Sequence, residues 1–335
     1  MKKIILSIVV PAYNCQNSIK NLLFSINRSK FRHFGQIETI IVDDRSTDKT
    51  IEVIKKIAPQ LKFPLRLIRL KKNAGPARAR NLGVKKSRGN YILFLDSDVE
   101  LFPKTLDFAF QLVKKHQVKA FTGLWHYRQK SQKFFPQFKA LRDWGYWTIE
   151  RNRGWRYYLF STRIAGIEKK LFQKIGGFSE SYKGPTVEDI ELTYKIEKLA
   201  PIKFYHRLMV GHEFEDFATI AKKYFLRSRD WIALYRKRLR FDPVATTPKE
   251  ALKPIVASLL IFSLMISLFY WPFLYYSFWL FLIYGFLERY FWRFLIKKKG
   301  FWFFLKSLPV AIFLYLIIAL GSVYGLILSI IKSQK

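Results

Sequence analysis

Apolar residues recur in two rhythms along this chain. Between residues 4 and about 100, short aliphatic runs alternate with segments whose apolar residues fall three and four positions apart. The runs are IILSIVVP at 4–11, IETIIV at 37–42, LRLIRL at 65–70 and YILFL at 91–95. Near-continuous apolar runs of this length predict strands buried on both faces. The intervening patterns predict helices at 18–27, 51–57 and 75–84, with Thr47 or Asp48 placed to cap the second. Strand followed by helix, repeated, predicts an α/β domain with a parallel sheet covered on both sides.

The second rhythm begins near residue 254. Residues 254–271 and 273–287 flank Pro272 and suit a tight membrane hairpin, and 309–331 is long enough alone to cross roughly 30 Å of hydrocarbon. Between them, RYFWRFLIKKKGFWFFLK mixes aromatics with cations, as interfacial segments do. Pro243, Pro248 and Pro254 interrupt any continuous helix, so a linker is expected at 241–253, dividing a domain at 1–240 from two or three membrane or interfacial helices at 254–332.

Charge changes this picture. The 335 residues carry 59 Lys and Arg against 24 Asp and Glu, a formal net charge of +35. Either nucleic acid or an anionic membrane surface would suit such an excess. The cations crowd just before and between the apolar stretches, from Lys222 to Arg240 and from Arg289 to Lys299. That placement favours anionic lipid and disfavours nucleic acid, for which no binding module is seen. Cys15 is the sole cysteine, which excludes an intramolecular disulfide and a thiolate zinc site. The apolar run of MKKIILSIVVPAYN is short and meets no small-residue cleavage site, so it is read as a strand rather than a signal peptide. An integral membrane protein whose N-terminal domain is cytoplasmic is the resulting expectation.

Candidate chemistry lies where the strands end. Ligands of open α/β sheets bind beyond the carboxyl ends of the strands. There the sequence puts Asp43-Asp44, and Asp96-Ser97-Asp98. Two carboxylates one residue apart at a strand exit are hard oxygen ligands suited to Mn²⁺ or Mg²⁺, which leave positions open for phosphate oxygens. A bare Asp-x-Asp also serves as a turn former. A third acidic site is Glu188-Asp189 in KGPTVEDIELTYKI, at the start of a helix expected from about Thr186 with Val187, Ile190 and Tyr194 on its apolar face. These acids suit either dipole complementation or general-base catalysis.

In their order, the motifs SIVVPAYN at 7–14, IIVDDRSTDKT at 40–50, NAGPARARNLG at 73–83, GNYILFLDSDVEL at 89–101, GIEKKLFQKIGGFSE at 166–180 and VEDIEL at 187–192 resemble the family 2 inverting glycosyltransferases of GT-A fold. The resemblance implies a Rossmann-like donor half at about 1–100 and an acceptor half at about 101–240. It implies that Pro11, Ala12, Tyr13 and Asp43 cradle the base of a UDP-, GDP- or dTDP-sugar, with Asp44 nearby, and that Arg80 assists the donor phosphates or is a helix-surface charge. Asp96 would lie near ribose and metal, and Asp98 would ligate the Mn²⁺ or Mg²⁺. Asp189 would be the catalytic base, supported by Glu188. His212 resembles a histidine that some of these enzymes use as a further metal ligand. The acceptor would be a hydroxyl of a lipid-linked or other membrane-associated glycan, in glycolipid, lipid-linked oligosaccharide or surface polysaccharide synthesis.

Departures narrow the reading. Processive members carry Gln-x-x-Arg-Trp, whereas here Arg227-Ser228-Arg229-Asp230-Trp231 is the nearest run. Polyprenyl-phosphate monosaccharide synthases, the runner-up, follow the second acid with Leu-Gln, and this chain has Val99-Glu100. A non-catalytic membrane scaffold is the alternative of another class. Aromatics interleaved with arginines, from Trp125 to Tyr158, mark the expected acceptor region or a packed helix at the membrane face.

Overall fold

A computed structural model describes residues 3–116, 118–150, 159–182, 184–241 and 246–333. In chain order the first half runs β1 (Leu6–Ala12), α1 (Ile19–Asn27), β2 (Ile37–Asp43), α2 (Thr50–Ile57), β3 (Leu65–Arg69), α3 (Pro76–Lys86) and β4 (Tyr91–Leu95). It continues through β5 (Val99–Leu101), α4 (Thr105–Lys114), β6 (Ala120–Trp125) and α5 (Phe134–Gly145). The second half runs β7 (Ile164–Glu168), α6 (Lys169–Lys174), α7 (Glu188–Glu197), β8 (Ile202–His212) and α8 (Phe217–Arg238). The long helices α9 (Pro248–Ser267), α10 (Phe273–Lys299) and α11 (Phe301–Ser333) close the chain.

The strands form one sheet ordered β3-β2-β1-β4-β7-β6-β8-β5. β1 pairs in parallel with both β2 and β4, and β2 with β3, as the apolar runs predict. Their central residues Ile8, Val9, Ile40, Ile41, Leu93 and Phe94 are fully buried. Each contributes about 1.5–3 kcal/mol of apolar burial. Helix α1 turns Ile19, Leu22, Leu23 and Ile26 inward, the three-and-four spacing of one helical face. Beyond β4 the sheet is mixed. β7 runs antiparallel between β4 and β6, and β5 antiparallel to β8. That half has no counterpart in the parallel sheet expected from the first hundred residues. The fold is a mixed α/β domain followed by a helical region, in keeping with the GT-A fold that the resemblance implies.

The chain divides into two compact units, Met1–Lys130 with Gly154–Glu213, and Ser131–Arg153 with Phe214–Lys335. The first holds the whole sheet. The second gathers α5 and α8 to α11, so the expected boundary at 241–253 shifts: residues 131–153 and 214–240 group with the C-terminal helices. The physical reason lies in α8, which packs along α11, where Phe217 meets Phe313 and Phe225 stacks on Tyr324.

Within this second unit, α9 and α11 are long and apolar enough to cross a membrane. The apolar stretch expected at 273–287 continues as α10 into Glu288, Arg289 and Arg293, and α10 does not meet that test among the described residues. Lys253 of α9 and Glu288 of α10 are buried, with Lys253 Nζ 3.0 Å from Glu288 Oε1 and 3.0 Å from Glu250 Oε1. Tyr315 of α11 donates to the same Glu288 oxygen, and the Arg142 guanidinium lies 4.6 Å from the Tyr315 ring.

Candidate active site

The carboxyl ends of β1, β2 and β4 define one edge of the sheet. Ala12 stands in register with Asp43, and Asp44 N–H donates to the Ala12 carbonyl at 2.8 Å. Pro11 and Ala12 are therefore fixed beside the Asp43-Asp44 turn, and Tyr13 is exposed just beyond it. The Asp43 carboxylate is fully buried. It accepts from Ser46 N–H at 3.2 and 3.3 Å and lies 3.3 Å from Arg69 Nε. Arg69 also donates to the Ser46 carbonyl, which holds this turn with Arg45 at φ 65°.

Asp44 accepts from Ala74 N–H at 2.7 Å and Gly75 N–H at 2.8 Å. Burial pushes the Asp44 carboxyl above its usual range, against those two bonds and with the Asp43 charge adding to it. Gly75 takes φ 87°, a conformation glycine adopts without a Cβ penalty, and Pro76 then starts α3. Asp44 thus ties the 73–75 loop to the sheet edge. Asp48 accepts from Gln16 and Thr50 N–H groups, but the N-cap position of α2 falls on Lys49, which makes no side-chain cap bond, one residue beyond the expected Thr47 or Asp48.

A second cluster sits at the exit of β4. Asp98 directly precedes β5, where Val99 is in register with His212 of β8. His212 Nε2 lies 3.5 Å from Asp98 Oδ2; the histidine is buried and the aspartate 48% exposed, open to a ligand. Burial would raise the Asp98 pKa, yet hydrogen bonding and charge from His212, then Arg163, hold it down to about 2. Arg163 arrives because Ile164 of β7 is in register with Leu95, and its guanidinium lies 4.3 Å from the Trp125 ring. Ser97, between the two acids, hydrogen-bonds Cys15, whose thiol burial pushes up. The Tyr13–Cys15 loop therefore reaches the Asp96–Asp98 turn.

Arg80 joins this cluster to α7. Its side chain is 4% exposed. It donates from Nη2 to Asp96 Oδ1 at 2.8 Å and from Nη1 to Glu188 Oε1 at 3.1 Å. The guanidinium lies 5.4 Å from the Phe178 ring, and Phe178 packs on Phe94 and Phe172. Burial opposes the Arg80 charge, but Asp96 and Glu188, with Asp189 behind them, raise its pKa. Glu188 Oε2 accepts from Thr186 N–H at 2.8 Å, so both of its oxygens are held. Asp189 follows in the first turn of α7, half-buried, with Oδ1 accepting from Ile190 N–H. The helix begins two residues later than expected. It buries Leu192, Thr193, Tyr194 and Ile196 rather than Ile190.

The structure therefore brings Arg80, Asp96, Asp98, Glu188, Asp189 and His212 into one connected edge. Arg80 is neither a surface charge nor turned to solvent. Among the described residues no three His, Cys, Asp or Glu side chains form a metal cluster. Asp98 and His212 do fit as a pair: one carboxylate oxygen and one imidazole nitrogen face each other, with diphosphate oxygens and water left to complete a hard-cation shell. Asp96 directs one oxygen to Arg80. Sequence reasoning missed Arg69 and Arg163, since neither belongs to a motif and only sheet register brings them to acids. Arg151, Arg153, Trp155, Arg156, Tyr157 and Tyr158 of the expected acceptor region lie outside the described residues; Trp125 and Trp147 are buried.

Known proteins resemble this chain in sequence and in fold. The sequence profile described as glycosyl transferase family 2 matches residues 7–176. An uncharacterized glycosyltransferase of Haemophilus influenzae is 39% identical over 127 residues, 36% of this chain and 49% of that protein. Poly(ribitol-phosphate) beta-N-acetylglucosaminyltransferase TarS of Staphylococcus aureus is 34% identical over 111 residues, 33% of this chain and 19% of that protein. The matches thus span half or less of these relatives' lengths. Among solved structures, mannosyltransferase PcManGT from Pyrobaculum calidifontis, in complex with GDP-Man and Mn²⁺, superposes with TM-score 0.59 at 17% identity, covering 97% of this chain and 88% of that one. TarS 1-349 with UDP gives TM-score 0.50 at 23% identity, covering 67% and 64%. These two likenesses carry the fold.

Proposed function

The chain belongs to glycosyl transferase family 2, and from that premise we propose a nucleotide-sugar-dependent, inverting glycosyltransferase that glycosylates a hydroxyl of a membrane-associated glycan or lipid. The observation that carries the reading is the Arg80 bridge: it holds Asp96 of the donor edge and Glu188 of α7 on one guanidinium, beside Asp98 and His212. Asp189 takes the proton of the acceptor hydroxyl as that oxygen attacks the anomeric carbon. Glu188, held by Arg80 and Thr186, positions it. Pro11, Ala12, Tyr13 and the Asp43-Asp44 turn frame the base, Asp96 lies toward the ribose, and Arg163 supplies positive charge near Asp98.

A divalent cation, Mn²⁺ or Mg²⁺, held by Asp98 and His212 would supply Lewis-acid stabilisation of the departing nucleoside diphosphate. A single in-line displacement needs no protein nucleophile. The membrane-competent helices keep the catalytic unit near its acceptor, on the cytoplasmic side, where the cation-rich segments meet anionic lipid.

The test is nucleoside diphosphate release from a panel of UDP-, GDP- and dTDP-sugars by full-length protein, with Mn²⁺, Mg²⁺ or chelator. One donor should turn over, and only with metal. Full transfer activity in Asp189→Asn, or turnover undiminished by chelator, would overturn the mechanism.

A further inference from the structure

We propose that this chain grips the bilayer from one face only: the α9–α10 hairpin dips in and turns back, and α11 lies along the membrane surface rather than across it. The occupant of the exposed apolar surface is thus one side of an anionic bilayer.

Two observations in the helical unit carry this. The first is what runs beside α11. A Cβ at Gly321 would stand 2.4 Å from the Phe225 carbonyl oxygen, and one at Gly325 2.5 Å from that of Arg229. The backbones of α8 and α11 therefore touch. Phe217 meets Phe313 and Phe225 meets Tyr324, so the offset between partners barely changes and the helices run side by side in one direction. Along this contact α8 carries Lys222, Lys223, Arg227 and Arg229, of which Lys223 pairs with Glu215 and Arg229 with Asp230, so that carboxylates would enter hydrocarbon beside the cations.

If residues 313–331 crossed hydrocarbon, these cations would be drawn in with them. One Lys or Arg at the bilayer centre costs as much as about five to ten leucines or isoleucines gain. Residues 313–331 contain twelve Leu, Ile, Val and Phe against those four cations. The balance is unfavourable for crossing. Lying in the interface reverses it: Leu320, Val323, Ile327 and Ile330 face outward from α11, while the α8 cations meet lipid phosphates.

The second observation is the hairpin's reach. The buried Lys253–Glu288 pair marks its base. From Lys253 to the end of α9, and from Glu288 back to Phe273, each arm rises about 22 Å. That is short of the roughly 30 Å hydrocarbon core. Below this base the arms carry no charged residue, and the tip exposes Leu268, Phe269 and Trp271.

Cysteine accessibility in native membranes tests this, because Cys15→Ser leaves the chain without thiols. Single cysteines are placed as Lys104→Cys, an exposed reference in the catalytic unit, Trp271→Cys, and Lys237→Cys, an exposed position at the end of α8 that the constant helix offset sets level with the end of α11, and probed with membrane-impermeant maleimide on either side of sealed vesicles. Position 237 should label from the same side as 104, and position 271 from neither until detergent is added. Labelling of 271 or 237 from the side opposite 104 overturns the proposal, as does protection of 237 from both sides. The inference rests on the membrane association in the functional reading. Alkaline carbonate extraction separates the two failures: release of the chain from membranes sinks that association, whereas far-side labelling of a retained chain sinks only the one-faced arrangement.

Discussion

Arg80→Met removes the two donors that hold Asp96 and Glu188 and leaves an apolar stem of similar length over Phe178. The Glu188 side chain is 5% exposed, so its charge stays behind in a poorly solvated position with only Thr186 N–H as partner. Removing one member of a buried ion pair costs about 3–5 kcal/mol. In a unit of this size that lowers the melting temperature by on the order of 10 °C. Urea denaturation of full-length protein in detergent measures it.

Glu188→Gln in the Arg80→Met background removes the orphaned charge. The double variant should therefore lose less than the sum of the single losses, by at least about 1 kcal/mol. Arg80→Lys keeps the charge without the fork and should fall between wild type and Met. Isothermal titration with the donor completes the assay. If Arg80→Met leaves the unfolding midpoint unchanged while donor affinity drops many-fold, the side chain is a phosphate ligand and the bridge is incidental.

Four further outcomes are expected. Asp189→Asn should lower kcat by about 10²–10⁴ with donor affinity retained, since it removes a proton acceptor and no donor contact; steady-state kinetics with calorimetry reads both. His212→Ala should raise the Mn²⁺ concentration for half-maximal activity by more than the 10–100-fold typical of losing an outer-shell partner of a metal ligand, measured by metal titration after chelation. Hydrogen bonds from Thr50 and Gln16 overcome burial and lower the Asp48 pKa, so its folded value lies below its unfolded one. Its stabilisation is present above the unfolded pKa and lost as pH falls through the folded one. Asp48→Asn should therefore destabilise near pH 7 and have little effect near about pH 2, compared by denaturant midpoints. Phe94→Ala empties the aromatic floor shared with Phe160, Phe172 and Phe178 and should cost about 3–5 kcal/mol by the same measurement.

The sequence by itself determined the parallel half of the sheet. Strands at 4–11, 37–42, 65–70 and 91–95 were legible because a strand buried on both faces must be apolar nearly throughout, and the acids at their ends were legible because the apolar run stops there. The likeness of its motifs, in their order, to those of a known family supplied the family. Local pattern reports how each segment is buried, not against what. The antiparallel β7, the approach of Arg163 to Asp98, and the 108-residue span from Arg80 to Glu188 depend on which strands become neighbours. Arg80 read as a surface charge or a phosphate ligand because its helix carries few apolar residues; only the fold shows two carboxylates closing over it. Likewise the apolarity of α11 suggested a span, and its meaning changes once a cation-bearing helix is found in backbone contact with it. A charge is placed by its counter-charge, and that partner is chosen by tertiary structure.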